Sequence, residues 1–88
     1  MDPEGALRAI RGLAKANRIR LTAHADREAA ECGASREHIR CALIHAKSIR
    51  ASAPRRASDW TVTGPDLDGD DLEIALIIQD GLLIITVY

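Results

Sequence analysis

Aromatic side chains are nearly absent from this chain of 88 residues, which contains Trp60, Tyr88 and no phenylalanine. Proteins that bind single-stranded nucleic acid commonly stack its bases on aromatic rings, and this composition argues against such a stacking surface. The hydrophobic content of 47% still supports a folded protein, and the length limits it to one small domain, residues 1–88. Because Ala, Leu and Ile supply most of the core, burial against a partner would add stability. A homo-oligomer or a complex with another protein is therefore compatible with the sequence.

Cysteines and long apolar segments are also scarce. Cys32 and Cys41 lie nine residues apart without the spacing of a disulfide framework, which indicates thiols in a reducing compartment. No apolar run approaches the length of a membrane span. The first residues lack the basic, apolar and small-residue segments of a secretion signal. We therefore expect a cytoplasmic protein that does not bind a membrane.

Basic residues are missing from the last third of the chain. All 12 Lys and Arg lie within residues 1–56 together with six acidic residues, which gives this part a net charge of +6. Residues 57–88 contain seven acidic residues and carry −7. Such asymmetry indicates either a polyanion-binding face in the first part or two parts that attract each other in the fold.

Local signals predict three helices and five strands in the order α-β-α-α-β-β-β-β. Asp2 and Pro3 are a typical N-cap and first helical residue, Ser35 is a typical N-cap, and Gly33 suits the left-handed residue that ends a helix. From Ser48 onward the apolar period changes to two, which is typical of strands. In addition to the first helix and the helix that follows Ser35, the sequence predicts a strand over 19–21, a helix over 24–32, and strands over 48–53, 58–63, 72–79 and 82–88.

The last two predicted strands form a hairpin around Asp80-Gly81, a strong two-residue turn signal. Their apolar runs are nearly continuous, which is typical of central strands that are covered on both faces. Together these features predict an α+β domain with an antiparallel sheet.

The segment Thr22-Ala23-His24-Ala25 places one imidazole where a short strand gives way to a helix. The partial positive charge of a helix N-terminus favours the neutral form of histidine, which a general base requires. Arg27 follows one turn later and could hold a phosphate group. The alternative is that His24 only forms a hydrogen bond within its helix, to Glu28 at i+4.

Five further basic residues could form a phosphate-binding edge for RNA: Arg36, Arg40, Lys47, Arg55 and Arg56. If RNA binds there, it does so through backbone charge. The alternative is an ordinary solvated basic surface.

Two segments have a partial resemblance to metal sites. His38, Cys41 and His45 share one helix face, but the sequence fixes no fourth zinc ligand. In the acidic segment 64–71, Asp66 would be the first residue of a calcium loop. Gly69 then stands at the fourth place instead of the sixth, and Ile77 stands at the twelfth place, where a calcium loop has glutamate. We therefore expect an acidic hairpin connection, and neither a metal nor a cofactor.

The order and spacing of several residues resemble a sequence block of the domain of unknown function 4258 family: His24-Ala25, Gly33, Ser35, Ile39 and Ala42-Leu43. In the second half, the resemblance continues through a strand ending at Gly64, a long apolar strand, Asp80-Gly81 and the final Ile85-Thr86-Val87-Tyr88. It covers about residues 18–88 and leaves 1–17 as an added N-terminal helix.

That family is similar to the RelE/ParE and BrnT-type toxins of bacterial toxin–antitoxin pairs, which are small ribonuclease folds that need no metal. The resemblance implies a RelE-like fold, an mRNA endoribonuclease of a type II toxin–antitoxin system, and a cognate antitoxin as partner. It also implies mRNA or the ribosome as a target. By analogy with toxins that use a C-terminal residue, Tyr88 joins His24 and Arg27 as a catalytic candidate, a second proton donor. The alternative for Tyr88 is a ring that packs on the sheet.

Two positions depart from the family. Glu28 stands where the family tends to have arginine, which leaves Arg27 displaced by one residue, a rotation of about 100° on a helix. Cys32 stands where a second arginine is common. These departures favour an alternative function, a non-catalytic protein-interaction module of the same fold.

Overall fold

The computed structural model describes residues 2–54 and 57–88 and has the predicted order of elements. It is an α+β domain with three helices and one five-stranded sheet. The elements are α1 (Pro3–Lys15), β1 (Ile19–Leu21), α2 (Ala23–Glu31), α3 (Arg36–Ile44), β2 (Ser48–Ala51), β3 (Trp60–Pro65), β4 (Asp71–Ile78) and β5 (Leu82–Val87).

Side-chain caps and glycine conformations fix the ends of these elements where the sequence predicted them. The Asp2 carboxylate accepts a hydrogen bond from the amide of Gly5 at 2.7 Å and begins α1. Ser35 begins α3 through a capping box with His38. At the β4–β5 turn, Asp80 and Gly81 both have positive φ, 51° and 102°, as the tightest hairpin turn requires.

The sheet order is β1-β5-β4-β3-β2, and β1 runs parallel to β5. The other three pairings are antiparallel, so the sheet is mixed and the prediction of a purely antiparallel sheet was wrong. A hairpin forces antiparallel pairing only on the two strands that it joins. After β1 the chain continues through α2 and α3, so no hairpin joins β1 to β5 and the two strands can pair in parallel.

The three helices cover one face of the sheet. Strand residues with alternating positions point to that face and are fully buried, among them Val62, Ile74 and Leu76; they pack with residues of all three helices in one core. On the opposite face, Ile77 and Leu83 remain half-buried and lie outside this core. The expectation that β4 and β5 are covered on both faces was therefore wrong, because the described residues supply a helical layer on one side only.

Helix α3 lies very close to β3 at Gly64. A Cβ atom at this position would sit 2.0 Å from the carbonyl oxygen of Ala42 and 3.0 Å from the Cα atom of Ala46. The absence of a side chain therefore allows backbone-to-backbone contact between helix and sheet, and it sets the depth at which α3 buries Ile39 and Leu43.

Helices α1 and α3 run antiparallel, and each contributes an arginine that donates hydrogen bonds to carbonyl groups at the end of the other. The Arg40 guanidinium donates from Nε to the carbonyl of Ala14 at 2.9 Å and from Nη2 to that of Lys15 at 3.0 Å. Arg11 donates in return to the carbonyl of Ala46, just beyond α3, at 2.6 Å. These bonds add donors to carbonyl groups at or just beyond the helix ends, where the intrahelical hydrogen-bond pattern stops; the Ala14 carbonyl also accepts from the Asn17 amide at 3.0 Å. Among the described residues, no helix has the length and apolar composition needed to cross a membrane.

Candidate functional site

Thr22 builds the junction between β1 and α2 that presents His24. Its hydroxyl oxygen accepts a hydrogen bond from the amide of Ala25 at 3.1 Å and caps α2. The same hydroxyl lies 3.4 Å from the carbonyl oxygen of Ile85, and the Thr22 amide donates to the carbonyl of Ile84 at 3.0 Å. The start of α2 is thereby tied to β5, so His24 in the first turn has a fixed backbone.

His24 and Glu28 form an imidazole–carboxylate pair. Nε2 of His24 lies 3.1 Å from Oε1 of Glu28, and the side chains are 62% and 26% exposed. An ionised carboxylate only accepts hydrogen bonds, so in the neutral imidazole this contact places the proton on Nε2 and leaves Nδ1 as the nitrogen that can accept one. The hydrogen bond to Glu28 that was the alternative for His24 is thus formed, and it orients the ring in the way a general base needs.

A β-bulge at the end of β5 brings the last strand into this site. The β4–β5 pairing shifts between Ala75 and Leu76 and leaves Ile85 as an extra residue in β5. Beyond this point β1 has ended, and the amide of Val87 donates to Oε1 of Glu28 at 3.2 Å. One carboxylate oxygen therefore joins α2, the imidazole and the end of the sheet.

The other two catalytic candidates lie on the same elements. Tyr88 directly follows Val87, is 55% exposed, and donates its amide to the carbonyl of Glu73 at 2.9 Å. Arg27 is exposed on α2, three residues after His24. Within the described part of the chain, its guanidinium makes no hydrogen bond or ion pair. The three candidates are thus carried by α2 and the adjoining end of β5.

Three residues of the predicted basic edge, Arg36, Arg40 and Lys47, lie within the described part of the chain. Arg36 donates to the side-chain oxygen of Asn17 at 3.1 Å and, like Arg40, binds the end of α1. Lys47 follows the opposite end of α3 and pairs with Asp71 at 2.7 Å. The hydrogen-bond partners of Arg36 and Arg40 are uncharged carbonyl and amide oxygens, so no carboxylate among the described residues pairs with either guanidinium. Arg55 and Arg56 lie outside the described residues.

Attraction between the two oppositely charged parts accounts for most of the ion pairs. Of the five pairs among the described residues, four join residues 1–56 to residues 57–88: Arg18–Asp80, His38–Asp68, Lys47–Asp71 and Arg50–Glu73. This observation favours the second interpretation of the charge asymmetry. The three arginine and lysine pairs are largely exposed, so their contribution to stability is small, whereas the His38 side chain of the fourth pair is only 19% exposed.

The trio of His38, Cys41 and His45 does not come together as a ligand set. Nδ1 of His45 contacts the carbonyl of Cys41 at 3.1 Å within its own helix, and both cysteines are free. His38 points elsewhere: its Nε2 lies 3.2 Å from Oδ2 of Asp68. Sequence reasoning missed this contact and the hydrogen bond from the Val87 amide to Glu28, because each joins residues far apart in the chain, whereas the contact of Glu28 with His24 at i+4 was anticipated.

The His24 site is an open surface. A cleft of about 560 Å³ lies beside it, between α2 and the start of α3, but Asp26, Ala30 and Ser35 line that cleft and His24 does not. Chemistry at His24 therefore requires a ligand large enough to exclude water itself. In comparisons with known proteins, the chain matches no protein-family model, no curated protein and no solved structure at a significant level.

Proposed function

We propose that this protein is a toxin-like domain of a type II toxin–antitoxin system that cleaves mRNA without a metal ion. One observation carries the proposal. An exposed imidazole, His24, is held at Nε2 by Glu28, and Glu28 is itself held by the amide of Val87. A carboxylate that fixes one ring nitrogen and leaves the other open is the arrangement of an oriented general base.

The reaction assigns one task to each candidate. Nδ1 of His24 takes the proton from a ribose 2′-hydroxyl, and the resulting oxygen attacks the adjacent phosphorus. The bond to the 5′-oxygen breaks, and the hydroxyl of Tyr88 protonates this leaving oxygen. Arg27 offsets the negative charge that develops on the phosphate oxygens. The products are a 2′,3′-cyclic phosphate and a free 5′-hydroxyl.

The open position of His24 suggests how the substrate is bound. With two aromatic residues in the chain, base stacking contributes little, and contacts to the phosphate backbone must position the RNA. Two arginines, Arg36 and Arg40, offer such contacts at the end of α1. An mRNA held on the ribosome would already be fixed in position, so an open surface of this kind would be enough to act on it. A cognate antitoxin would block this surface.

The test is regulated expression with mapping of RNA ends. We expect the natural chain to arrest growth and to create new 5′-hydroxyl ends, and His24→Gln to abolish both. His45→Gln is the matched control, since it removes another exposed histidine whose ring contacts its own helix. An intact RNA pool on expression of the natural, folded chain would contradict the enzymatic proposal.

A second candidate function is a non-catalytic protein-interaction module of the same fold. The open sheet face favours it, because Ile77 and Leu83 are half-buried there and none of the described helices covers them. The acid at Glu28, where the family resemblance implies arginine, also favours it. Copurification of one partner in fixed stoichiometry, with no new RNA ends, would support this function over the first.

A further inference from the structure

His38 and the loop between β3 and β4 bring three metal-ligating side chains together. One ligand atom each from His38, Asp66 and Asp68 lies within 4.8 Å of the other two. Nε2 of His38 is 3.2 Å from Oδ2 of Asp68. Two ligands on one ion with bonds of about 2.0–2.1 Å and a tetrahedral angle lie about 3.4 Å apart. This pair already has nearly that spacing.

The imidazole of His38 is held by its other nitrogen. Nδ1 lies 2.8 Å from Oγ of Ser35 and 3.3 Å from the Ser35 amide, and the side chain is only 19% exposed. Metal-binding histidines generally have such a partner behind them. A shift of the ring proton to Nδ1 makes this nitrogen a donor to Oγ of Ser35 and gives up the hydrogen bond that it accepts from the Ser35 amide. The Nε2 lone pair is then left for an ion.

Asp66 is fixed by the loop in a similar way. Its Oδ1 accepts hydrogen bonds from the amides of Asp68 at 2.8 Å and Asp70 at 3.0 Å. Oδ2 of Asp66 has no protein partner among the described residues and can bind an ion. Asp68 is 75% exposed, so rotation of its side chain can bring the three ligand atoms closer together.

The charges around this loop are poorly balanced. Of its acidic residues, Asp71 pairs with Lys47, whereas Asp66, Asp68 and Asp70 have no Lys or Arg partner among the described residues. The basic side chain that contacts this group is His38, through Asp68. A bound divalent ion would offset this repulsion and tie the loop to α3.

We propose that His38, Asp66 and Asp68 form a binding site for a divalent transition metal ion, with Zn²⁺ as the representative. One imidazole with two carboxylates suits such ions, whereas Ca²⁺ and Mg²⁺ prefer oxygen ligands alone. Three protein ligands leave a position for water. The sequence-based expectation of no metal considered His38 with its helix neighbours and the loop separately, and neither contains this set.

The metal site shares no residue with the His24 site, so each proposal can fail without the other. The test is calorimetric titration of the full chain with zinc chloride, in a Cys32→Ser, Cys41→Ser background that removes thiol ligands. We expect saturable binding of one ion. His38→Gln and Asp68→Asn should each weaken it by about tenfold or more. Glutamine at this position can still complete the capping box, and circular dichroism checks that the fold is kept.

Two matched variants control for general effects. Asp70→Asn removes a charge from the same loop, and His45→Gln removes an imidazole from the same helix; we expect neither to change the affinity. Mn²⁺ should broaden the amide resonances of His38 and of residues 66–70 in the wild-type chain. Absence of saturable zinc binding, or binding that is unchanged in His38→Gln, would overturn the proposal.

Discussion

Replacement of Gly64 with alanine tests the close approach of α3 to the sheet. The new Cβ atom would lie 2.0 Å from the Ala42 carbonyl oxygen and 2.9 Å from its carbon. Both atoms are helix backbone, so no side chain can rotate away. Since non-bonded carbon and oxygen atoms need more than about 3 Å, the helix would have to move outward by about 1 Å.

Such a movement would open the core around Ile39 and Leu43, which are fully buried. Overpacking of a core costs about 1–3 kcal/mol, and a clash with backbone belongs at or above the upper end. We therefore expect Gly64→Ala to lower the free energy of unfolding by about 3 kcal/mol or more. A domain of this size has only about 4–13 kcal/mol in total, so the change should be large in urea denaturation followed by circular dichroism.

Gly12→Ala provides the matched control. Gly12 lies in α1 and is exposed, and apart from its chain neighbours and the adjacent backbone of α1 no atom of the described residues lies within 4 Å of an added Cβ. The same substitution should here raise stability by about 0.5–1 kcal/mol, because alanine favours the helix. If Gly64→Ala unfolds at the same urea concentration as the wild type, the described contact between α3 and β3 is wrong.

Two other substitutions examine single side chains. Arg40→Ala should cost about 1–3 kcal/mol in urea denaturation, since it removes a charged donor from two carbonyl groups at the end of α1; Arg27→Ala, which removes an exposed arginine, should be near neutral, and equal effects would contradict the capping role. Glu28→Gln should change the free energy of unfolding by only about 1 kcal/mol, because the side-chain oxygen of glutamine can still accept the hydrogen bond from the Val87 amide. It should nevertheless reduce RNA cleavage, because the carboxylate that orients His24 is lost. Full cleavage by a folded Glu28→Gln protein would remove Glu28 from the proposed mechanism.

The parts of the fold that the sequence predicted depend on residues close together in the chain. Asp2, Ser35 and Asp80-Gly81 act on neighbours within a few positions, so their residue types were sufficient to locate helix starts and the hairpin. The first strand has its predicted bounds, and the other four differ from prediction by one or two residues at one or both ends, because pairing with a neighbouring strand decides where a strand stops. Local patterns carry no record of that neighbour.

The features that sequence reasoning missed or mispredicted depend on distant contacts. Parallel pairing of β1 with β5 needs knowledge of the whole chain path. The bare second face of the sheet could not be inferred from the apolar runs of β4 and β5, which suit burial on either face. In the candidate site, His24 was identified from its position at a helix start, but the bond from Val87 to Glu28 spans 59 residues. The partners of Arg40 and His38 were hidden for the same reason.

The pairing of β1 with β5 also has a consequence for folding. Residue 19 lies opposite residue 82, so the first strand has no place in the sheet until the last one has formed. Contacts between such distant segments close large loops and slow the folding of a small domain. Glu28 likewise receives the Val87 amide only when β5 is in place. The candidate site should therefore assemble last, and a partly folded chain should lack the contact between Glu28 and the Val87 amide.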